Sequence, residues 1–362
     1  MYKREAIGAL RRALIGDKNE GILVSSAINQ RYLSGLDYTD GYILIFEDSA
    51  YLLADFRYIE VARATADREI FEVVMPEGRM TAELGLICAA CGINKLYVEE
   101  ESLSLADHNR LAEALPSVAL ASGASGEIEK LRERKSPEEL DKIAAAQRIT
   151  DAAFEHILGF ITPERTEREV ALELEFFMRS RGADGVAFET IAVSGSASSM
   201  PHGVPRDVKL ERGFLTMDFG ATLNGYCSDM TRTVVIGKAD ADMRRLYDTV
   251  LAAQTAALEF LTEGVGCAAA DKVARDIIDG AGYRGCFGHS LGHGIGMLVH
   301  EAPRLSSAAP ADKKLSRGHV VSVEPGIYLE GKYGCRIEDM VTIDHDGKLL
   351  NFTKSPKHLI EI

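Results

Sequence analysis

Short apolar runs alternate with amphipathic stretches through the N-terminal part of the chain. The runs at 21–24 and 42–46 are continuous and rich in aliphatic or aromatic residues, which is typical of buried strands. The stretches at 81–91 and 104–115 have the length of helices. The same pattern predicts further strands at 51–54, 71–75 and 95–98, and another helix at 60–66. Alternation of the two element types predicts an α/β layer arrangement.

A change of composition follows at residues 122–126, which are small, polar and typical of a flexible domain boundary. We therefore predict one domain at 1–125 and a second at 126–362. Ser136-Pro137-Glu138-Glu139 then predicts the start of a helix. Serine is a preferred N-cap, proline suits the first helical position, and a glutamate three residues after the cap completes a capping box.

The second domain mixes helices with strand-like runs. Thr166 and Glu169 have the spacing of another capped helix. Two more helices are predicted at 239–261 and 267–280, and strand-like runs lie at 188–194, 214–219, 230–236, 319–324 and 338–344. This order predicts a sheet covered by helices, so the fold class of the chain is α/β (α+β).

The stretch 217–233 has the pattern of a hairpin with an acid on each strand. Asparagine and glycine between strand-like runs are a turn signal. A turn at Leu223-Asn224 places Asp218 directly opposite Asp229. A turn at Asn224-Gly225 changes the exact partner but keeps both carboxylates on one face, because side chains alternate with a period of two.

The stretch 322–339 repeats this arrangement. Centring its turn on Gly331 places Glu324 opposite Glu338, and directly opposed residues lie ~5 Å apart at Cβ. A lone acid in a hairpin is ordinarily a solvated residue, but Asp218 and Glu324 each end an apolar run in which unpaired charge is costly.

Two opposed acid pairs resist joint ionisation as bare carboxylates, and bound cations resolve that conflict. Carboxylate oxygens together with one imidazole suit Mn²⁺, Fe²⁺, Co²⁺ or Zn²⁺. The sequence therefore predicts a metal site at the two hairpins.

The imidazole is expected from a glycine-rich segment that contains His289 and His293. Their spacing would fit a zinc-binding helix, but the glycines around them oppose a helix, and we predict an extended segment. His300 follows closely, and the cluster predicts active-site roles for all three. His202 lies in a glycine- and serine-rich loop, a usual place for substrate contacts. We interpret the remaining histidines as packing or surface residues: His108, His156, His319, His345 and His358.

Composition narrows the class of protein. With 362 residues, 46% apolar and 27% charged, the chain is typical of a soluble globular protein of two domains. A formal charge of −14 argues against a nucleic-acid partner. No apolar run approaches the ~18 residues of a membrane span, and the start at Met1 predicts an amphipathic first helix rather than a signal peptide. We therefore expect a cytoplasmic protein that does not bind membranes.

The cysteines do not form a scaffold pattern. Cys88 and Cys91 have the spacing of a redox or zinc pair, but no second pair completes a four-sulfur site. We interpret them as small residues on a helix face.

The five predicted ligands, with their flanking motifs, resemble those of the pita-bread (M24) metallopeptidases. The ligands are Asp218, Asp229, His293, Glu324 and Glu338, and the motifs are Gly-His-Gly-Ile-Gly at 292–296 and Val-Glu-Pro-Gly-Ile-Tyr at 323–328. The stretches at 29–35 and 55–58 resemble a creatinase-like N-terminal domain, which marks the proline-specific branch of aminopeptidase P and prolidase. The segment 134–139 resembles the junction of that branch.

The resemblance implies a pita-bread catalytic domain, with a pseudo-twofold sheet, that holds two divalent metal ions per chain. Mn²⁺ or Co²⁺ is expected first, with Zn²⁺ or Fe²⁺ as alternatives. Asp218 would bind one ion, His293 and Glu324 the other, and Asp229 and Glu338 both. It also implies catalytic roles for Glu324 as proton carrier, His202 and His300 toward the substrate carbonyl, His289 in the same pocket, Tyr328, and Arg336 as the group that orients the acids.

The expected activity is hydrolysis of the Xaa-Pro bond in small peptides with proline at the second position, by a likewise implied homodimer. Dipeptidase and aminopeptidase activity both stay open. The alternatives are a methionyl aminopeptidase, a metal-free creatinase-like hydrolase and a non-catalytic interaction protein of the same fold. The N-terminal domain argues against the first, and the complete ligand set argues against the other two.

Overall fold

The computed structural model describes residues 2–38 and 40–362. The chain divides into two compact units, Met1–Arg132 and Glu133–Ile362. Met1, where the predicted first helix begins, lies outside the described residues. The domain boundary predicted between 125 and 126 stays a proposal, since compactness alone does not define the unit that folds independently.

The stretch 122–126 is not a flexible linker. Ser122 ends a strand, and a helix begins at Ala124, which is fully buried. The charged stretch at 127–135 is rich in residues that favour helices. The helix that it forms begins earlier, at Ala124, and so includes the small residues before the stretch.

The N-terminal unit is a mixed sheet with helices between its strands. The helices are α1 (Tyr2–Leu14), α2 (Ala27–Ser34), α3 (Ile59–Thr65), α4 (Met80–Ala90), α5 (Leu105–Ala114) and α6 (Ala124–Glu133), which runs one residue beyond the unit. The strands are β1 (Glu20–Val24), β2 (Gly41–Ile45), β3 (Ala50–Ala54), β4 (Glu72–Val74), β5 (Lys95–Val98) and β6 (Ala119–Ser122). Within the described part of the chain they form a six-stranded sheet in the order β4-β3-β2-β1-β5-β6. The predicted strands and helices of this unit are thereby confirmed.

The C-terminal unit contains two pairs of helices and several short strand ladders. The helices are α7 (Pro137–Phe160), α8 (Glu167–Ser180), α9 (Ala241–Phe260) and α10 (Cys267–Ile278). The strands are β7 (Gly185–Val186), β8 (Ile191–Ser194), β9 (Gly213–Phe219), β10 (Ala221–Leu223), β11 (Tyr226–Cys227), β12 (Met230–Ile236), β13 (Gly292–Gly294), β14 (Glu301–Leu305), β15 (Val320–Val323), β16 (Gly326–Leu329), β17 (Tyr333–Arg336), β18 (Asp339–Ile343) and β19 (Leu349–Asn351). Capping boxes at Ser136 and Thr166 begin α7 and α8, as the sequence predicts.

The strands form separate ladders rather than one hydrogen-bonded sheet. The ladder β12-β9-β8 carries the first acid hairpin, and the ladder β14-β13-β15-β18-β19 carries the second together with the histidine segment. A backbone hydrogen bond of 3.1 Å from Glu338 to the carbonyl of Thr231 joins the two ladders. The acid-bearing strands therefore meet at the centre of the unit.

The first hairpin turns at Asn224-Gly225, so the predicted direct opposition of Asp218 and Asp229 is wrong. Both turn residues have positive φ, 52° for Asn224 and 79° for Gly225, as a type I′ turn requires. Asp218 pairs with Thr231 in this register. The two acids nevertheless keep to one face, because the register shift moves the partner by two residues.

The second hairpin has the predicted register. Val323 pairs with Asp339 on one side of the acids and Gly326 pairs with Arg336 on the other. Glu324 and Glu338 therefore occupy opposite positions between the two ladders.

Gly292 and Gly294 allow the histidine segment to run extended beside other backbone. A Cβ on Gly292 would lie 1.9 Å from the carbonyl oxygen of Ser322, and one on Gly294 would lie 2.1 Å from that of Ala302. The segment forms β13 and not a helix, as its glycines predict.

The remaining expectations from composition concern membranes and cysteines. Within residues 2–38 and 40–362, each helix is either too short or too polar to traverse a bilayer. Cys88 is buried on α4, whereas Cys91 is exposed at the C-terminal end of that helix.

Replacing Gly292 by alanine should lower the free energy of unfolding by about 1–3 kcal/mol, because the added carbon meets the backbone carbonyl of Ser322, which cannot move aside. Gly288→Ala in the same segment is the matched control, since a Cβ there meets no atom within 4 Å. Its effect should stay within about 0.5 kcal/mol. Urea unfolding of both variants measures this difference, and equal losses would contradict the close-approach explanation.

Candidate active site

A cavity of about 400 Å³ in the C-terminal unit brings nearly all the predicted site residues together. It is lined by His202, Asp218, Asp229, His289, His293, His300, Glu324, Arg336 and Glu338, among others. Tyr328 does not line the cavity, but its hydroxyl lies directly behind it, 2.9 Å from both His289 Nε2 and an Arg336 nitrogen.

Three of the predicted ligands converge most tightly. Asp229, His293 and Glu338 are buried, and one donor atom of each lies within 4.8 Å of the other two. His293 Nε2 is 3.6 Å from Asp229 Oδ2 and 3.3 Å from Glu324 Oε1. Within the described part of the chain, this is the group whose geometry could hold a metal ion.

Two carboxylate oxygens at this cluster lack hydrogen-bond partners among the described residues. They are Asp218 Oδ1 and Glu338 Oε1, and both are inaccessible to solvent. Buried polar atoms are nearly always satisfied, so an orphaned carboxylate oxygen that lines a cavity calls for a ligand. A cation supplies what such oxygens need, and the donor set of carboxylates and one imidazole suits a divalent transition metal. The residues present therefore fit the predicted metal ions.

The electrostatics of the acids point the same way. Burial, followed by the neighbouring carboxylates, raises the pKa of Asp229 and of Glu338 well above the usual range. Burial also opposes ionisation of Glu324, but the hydrogen bond and charge of His293, together with the charges of His289 and Arg336, outweigh it and lower the pKa of Glu324 to about 2. The cluster thus pairs acids that resist ionisation with one that is fully ionised.

Arg336 links the acids to one another. Its guanidinium lies 2.5 Å from Asp218 Oδ2 and donates to Tyr328 Oη at 2.9 Å and to Thr231 Oγ1 at 2.9 Å. Thr231 Oγ1 in turn donates to Glu338 Oε2 at 2.7 Å. The side chain predicted to orient the acids therefore contacts one directly and reaches another through a threonine.

The histidines surround the cavity in different environments. His289 Nδ1 and Nε2 both have hydrogen-bond partners, Ser290 O and Tyr328 Oη at 2.9 Å each. The His300 ring packs edge to face on that of His293, with centroids 4.3 Å apart. Burial lowers the pKa of both His289 and His300, which keeps them neutral at pH 7. His202 is exposed at the cavity wall.

The sequence reasoning missed two residues of the site. Thr231 holds Glu338 from outside the cavity lining and was not singled out, although it lies on β12, two residues after Asp229, and shares the face of that acid. Arg304 lines the cavity and pairs with His293 across β13 and β14. No sequence signal marks Arg304, because its position depends on the pairing of those strands.

Two family models match the chain. That of metallopeptidase family M24 matches residues 141–345, and that of the creatinase/prolidase N-terminal domain matches residues 7–134. Together they cover both units.

Individual relatives match over almost the whole length. The uncharacterized peptidase YqhT of Bacillus subtilis is 40% identical over 342 residues, which span 94% of this chain and 95% of the relative. The solved structure of an Xaa-Pro dipeptidase from Bacillus anthracis matches with a TM-score of 0.95 and 40% identity, over 99% of this chain and 100% of that one. That of an X-Pro aminopeptidase from Thermotoga maritima matches with a TM-score of 0.89 and 37% identity, over 97% and 99%.

Replacing Asp229 by asparagine should raise the melting temperature of the metal-free protein. Burial and the charges of Glu338 and Asp218 penalise this carboxylate, and the amide removes the penalty. Added Mn²⁺ should raise the melting temperature of the wild type but hardly that of the variant, since a ligand stabilises only the protein that binds it. Thermal melts in EDTA and in Mn²⁺ measure both effects.

Asp346→Asn is the matched control, because Asp346 is exposed in a turn and does not line the cavity. It should change neither melt. An Asp229→Asn protein that is less stable than the wild type without metal would contradict the proposed repulsion.

Proposed function

The chain belongs to metallopeptidase family M24, and on that premise we propose that it hydrolyses the Xaa-Pro bond of dipeptides with two bound divalent ions. The observation that carries the proposal is the convergence of the predicted ligands in one cavity, with unpartnered oxygens on Asp218 and Glu338. The match to the creatinase/prolidase N-terminal domain and the likeness to an Xaa-Pro dipeptidase support the choice of substrate.

The two ions, which we propose to be Mn²⁺ or Co²⁺, would be held by the predicted ligands. Asp218 would bind one ion, His293 and Glu324 the other, and Asp229 and Glu338 both. When bound, such ions lower the pKa of water toward neutrality and polarise a carbonyl group. Thr231 and Arg336 hold the bridging and chelating acids in place through the hydrogen bonds described above.

Glu324 is the residue we assign to proton transfer. Its carboxylate lies in the cavity beside the other ligands, and in its ionised form it can accept a proton from the attacking water. It can then deliver that proton to the proline nitrogen, which must be protonated to leave as an amine. Ser322 donates to Glu324 Oε1 at 3.1 Å and so fixes the orientation of the carboxylate.

The neutral histidines serve the substrate carbonyl in this proposal. His300 is neutral at pH 7 and can donate one N–H bond to the carbonyl oxygen as negative charge develops there. His202 lines the same cavity and is assigned the same kind of contact. His289 is held by Tyr328 behind the cavity wall and helps to shape the pocket.

Proline suits the remaining walls of the cavity. Phe188, Ile191, Pro201 and Val299 provide an apolar lining on which a pyrrolidine ring can pack. An Xaa-Pro bond has no N–H, so an apolar wall leaves no donor unsatisfied, and the ring restricts the backbone torsion of its residue.

Arg304 favours a dipeptide over a longer peptide. It lines the cavity beside His293, and a guanidinium binds a free carboxylate with a matched pair of donors. The C-terminal carboxylate of Xaa-Pro is within the length of one residue from the scissile bond, whereas in a longer peptide that position is a neutral amide. The likeness to an X-Pro aminopeptidase supports the second candidate function, cleavage at the N-terminus of longer peptides.

The other rivals have less support. A methionyl aminopeptidase would not explain the match to the creatinase/prolidase N-terminal domain. A metal-free creatinase-like hydrolase or a non-catalytic protein would not explain a complete ligand set with orphaned oxygens. A cytoplasmic homodimer is also part of the proposal, and the dimer rests on the family resemblance alone.

A peptide panel tests the substrate. With Mn²⁺ or Co²⁺ present, kcat/KM should be highest for Met-Pro, lower for Ala-Pro-Ala, and lowest for Met-Ala-Ser. A preference for Ala-Pro-Ala would transfer the assignment to the aminopeptidase candidate. A preference for Met-Ala-Ser would refute proline specificity.

Glu324→Gln should leave the fold intact and lower kcat by about 10²–10⁴, the usual loss when one proton-transfer group is removed. The amide keeps the shape of the side chain but cannot carry the proton. Glu330→Gln, at an exposed position of the same hairpin, is the control and should keep full activity. Near-full turnover by metal-saturated Glu324→Gln would show that the proton is carried by another group.

A further inference from the structure

The loops that carry His202, His289 and His300 share a feature outside the cavity. In each loop, backbone N–H groups donate hydrogen bonds to an acid that is itself paired with a basic side chain. We propose that these three pairs, which we call the loop anchors, position the three histidines for catalysis. The expected effects on activity rest on the proposed function, whereas the positioning of the loops does not. The anchors are Glu167 with Arg206, Asp271 with Arg275, and Glu301 with Lys135.

The first anchor holds the loop of His202. Glu167, fully buried in the first turn of α8, accepts from the Arg206 guanidinium at 2.6 and 2.9 Å and from the Arg206 backbone N–H at 2.9 Å. It also accepts from the Ser194 N–H at 2.7 Å, at the end of β8. The carboxylate therefore ties both sides of the segment that contains His202 to one helix.

The second anchor holds the loop of His289. Asp271 on α10 is fully buried and accepts from Nε and Nη2 of Arg275 at 2.9 Å each. It also accepts from the Leu291 N–H at 3.0 Å. Arg275 also donates to the carbonyls of Phe287 at 2.7 Å and His289 at 3.0 Å. The backbone on either side of the His289 ring is thus fixed from the helix.

The third anchor holds the segment that ends at His300. Lys135 Nζ lies 3.1 Å from Glu301 Oε2, with only 1% and 5% of the two side chains exposed. Glu301 Oε1 accepts from the Leu298 N–H at 2.9 Å, so the carboxylate clamps the turn around the histidine. Gly296 leaves room for the pair, since a Cβ there would lie 2.5 Å from Glu301 Oε2.

The anchoring acids do not line the cavity among the described residues, so contact with a substrate does not explain them. Burying an ion pair contributes little to net stability, because desolvation offsets most of the attraction. What such a pair supplies is a fixed geometry, since each acid uses its remaining acceptor positions on loop backbone. A misplacement of a catalytic group by only ~1 Å can lower activity on the order of 10²-fold.

Double-mutant cycles on the second anchor test the proposal. Arg275→Met should lower kcat/KM for Met-Pro about 10-fold, within the loss of order 10² that a misplaced catalytic group causes. Arg275→Lys should lie between Arg275→Met and the wild type, because it retains the charge but not the bonds to the two carbonyls. In a His289→Ala background, Arg275→Met should cause almost no further loss of kcat/KM. In a His202→Ala background, the fold-losses of the two substitutions should multiply. Lys272→Met is the matched control, because it breaks an exposed ion pair on the same helix.

Amide hydrogen exchange gives a readout that does not depend on activity. Arg275→Met should speed exchange in residues 287–291 and leave 199–206 unchanged, and Arg206→Met should do the reverse. Local exchange changes with the expected coupling support the anchors. The proposed loop anchors would be overturned if the loss of kcat/KM caused by Arg275→Met multiplied in both the His289→Ala and the His202→Ala background. Faster exchange throughout the C-terminal unit would overturn them as well. If the wild type fails to cleave Met-Pro while the local exchange pattern holds, the proposed function fails and the anchors stand.

Discussion

Mutual repulsion of four carboxylates that share one cavity, two of them buried and two half-buried, is the constraint on which the catalytic unit depends. Two unit charges 4 Å apart repel by about 4 kcal/mol at an effective dielectric constant near 20, and this cavity gathers Asp218, Asp229, Glu324 and Glu338. Arg336 and His293 offset part of that repulsion within the fold. The two orphaned oxygens indicate that the rest is offset by bound cations.

Because like charges repel, the strands that carry these acids must be held together by contacts strong enough to prevent them from moving apart. Behind the cluster, the fully buried Arg232 donates to the carbonyl of Glu338 at 2.5 Å and to Asp339 Oδ1 at 2.8 Å. Asp339 also accepts from Lys357 at 2.7 Å, in the C-terminal segment. This network joins β12 to β18, one strand from each acid hairpin, and so fixes the two halves of the metal site relative to each other. Loss of one partner would leave a buried charge uncompensated.

Sequence reasoning succeeded where chemistry is local. Hairpin and capping signals depend on a few neighbouring residues, so the helix starts at Ser136 and Thr166 and the register around Gly331 were predictable. For the first hairpin, sequence reasoning left two possible turns, and the one that opposes Asp218 to Asp229 is not formed. The turn at Asn224-Gly225 has positive φ at both residues, which asparagine and glycine favour, and this preference should have decided between the two turns.

Contacts between distant residues were beyond that reasoning. Lys135 and Glu301 are 166 positions apart, and nothing in either local sequence indicates the other. Arg304 reaches the cavity only because β14 pairs with β13. The stretch at 122–126 was misinterpreted for a related reason, since buried packing of Ala124 outweighs a composition typical of linkers.

The central claim is that this cluster of acids exists to hold two divalent ions. Metal content measures it most directly. The protein is stripped with a chelator, reconstituted with excess Mn²⁺ or Co²⁺, desalted and assayed by plasma mass spectrometry. The account predicts close to two ions per chain. A value near zero in correctly folded protein would contradict it.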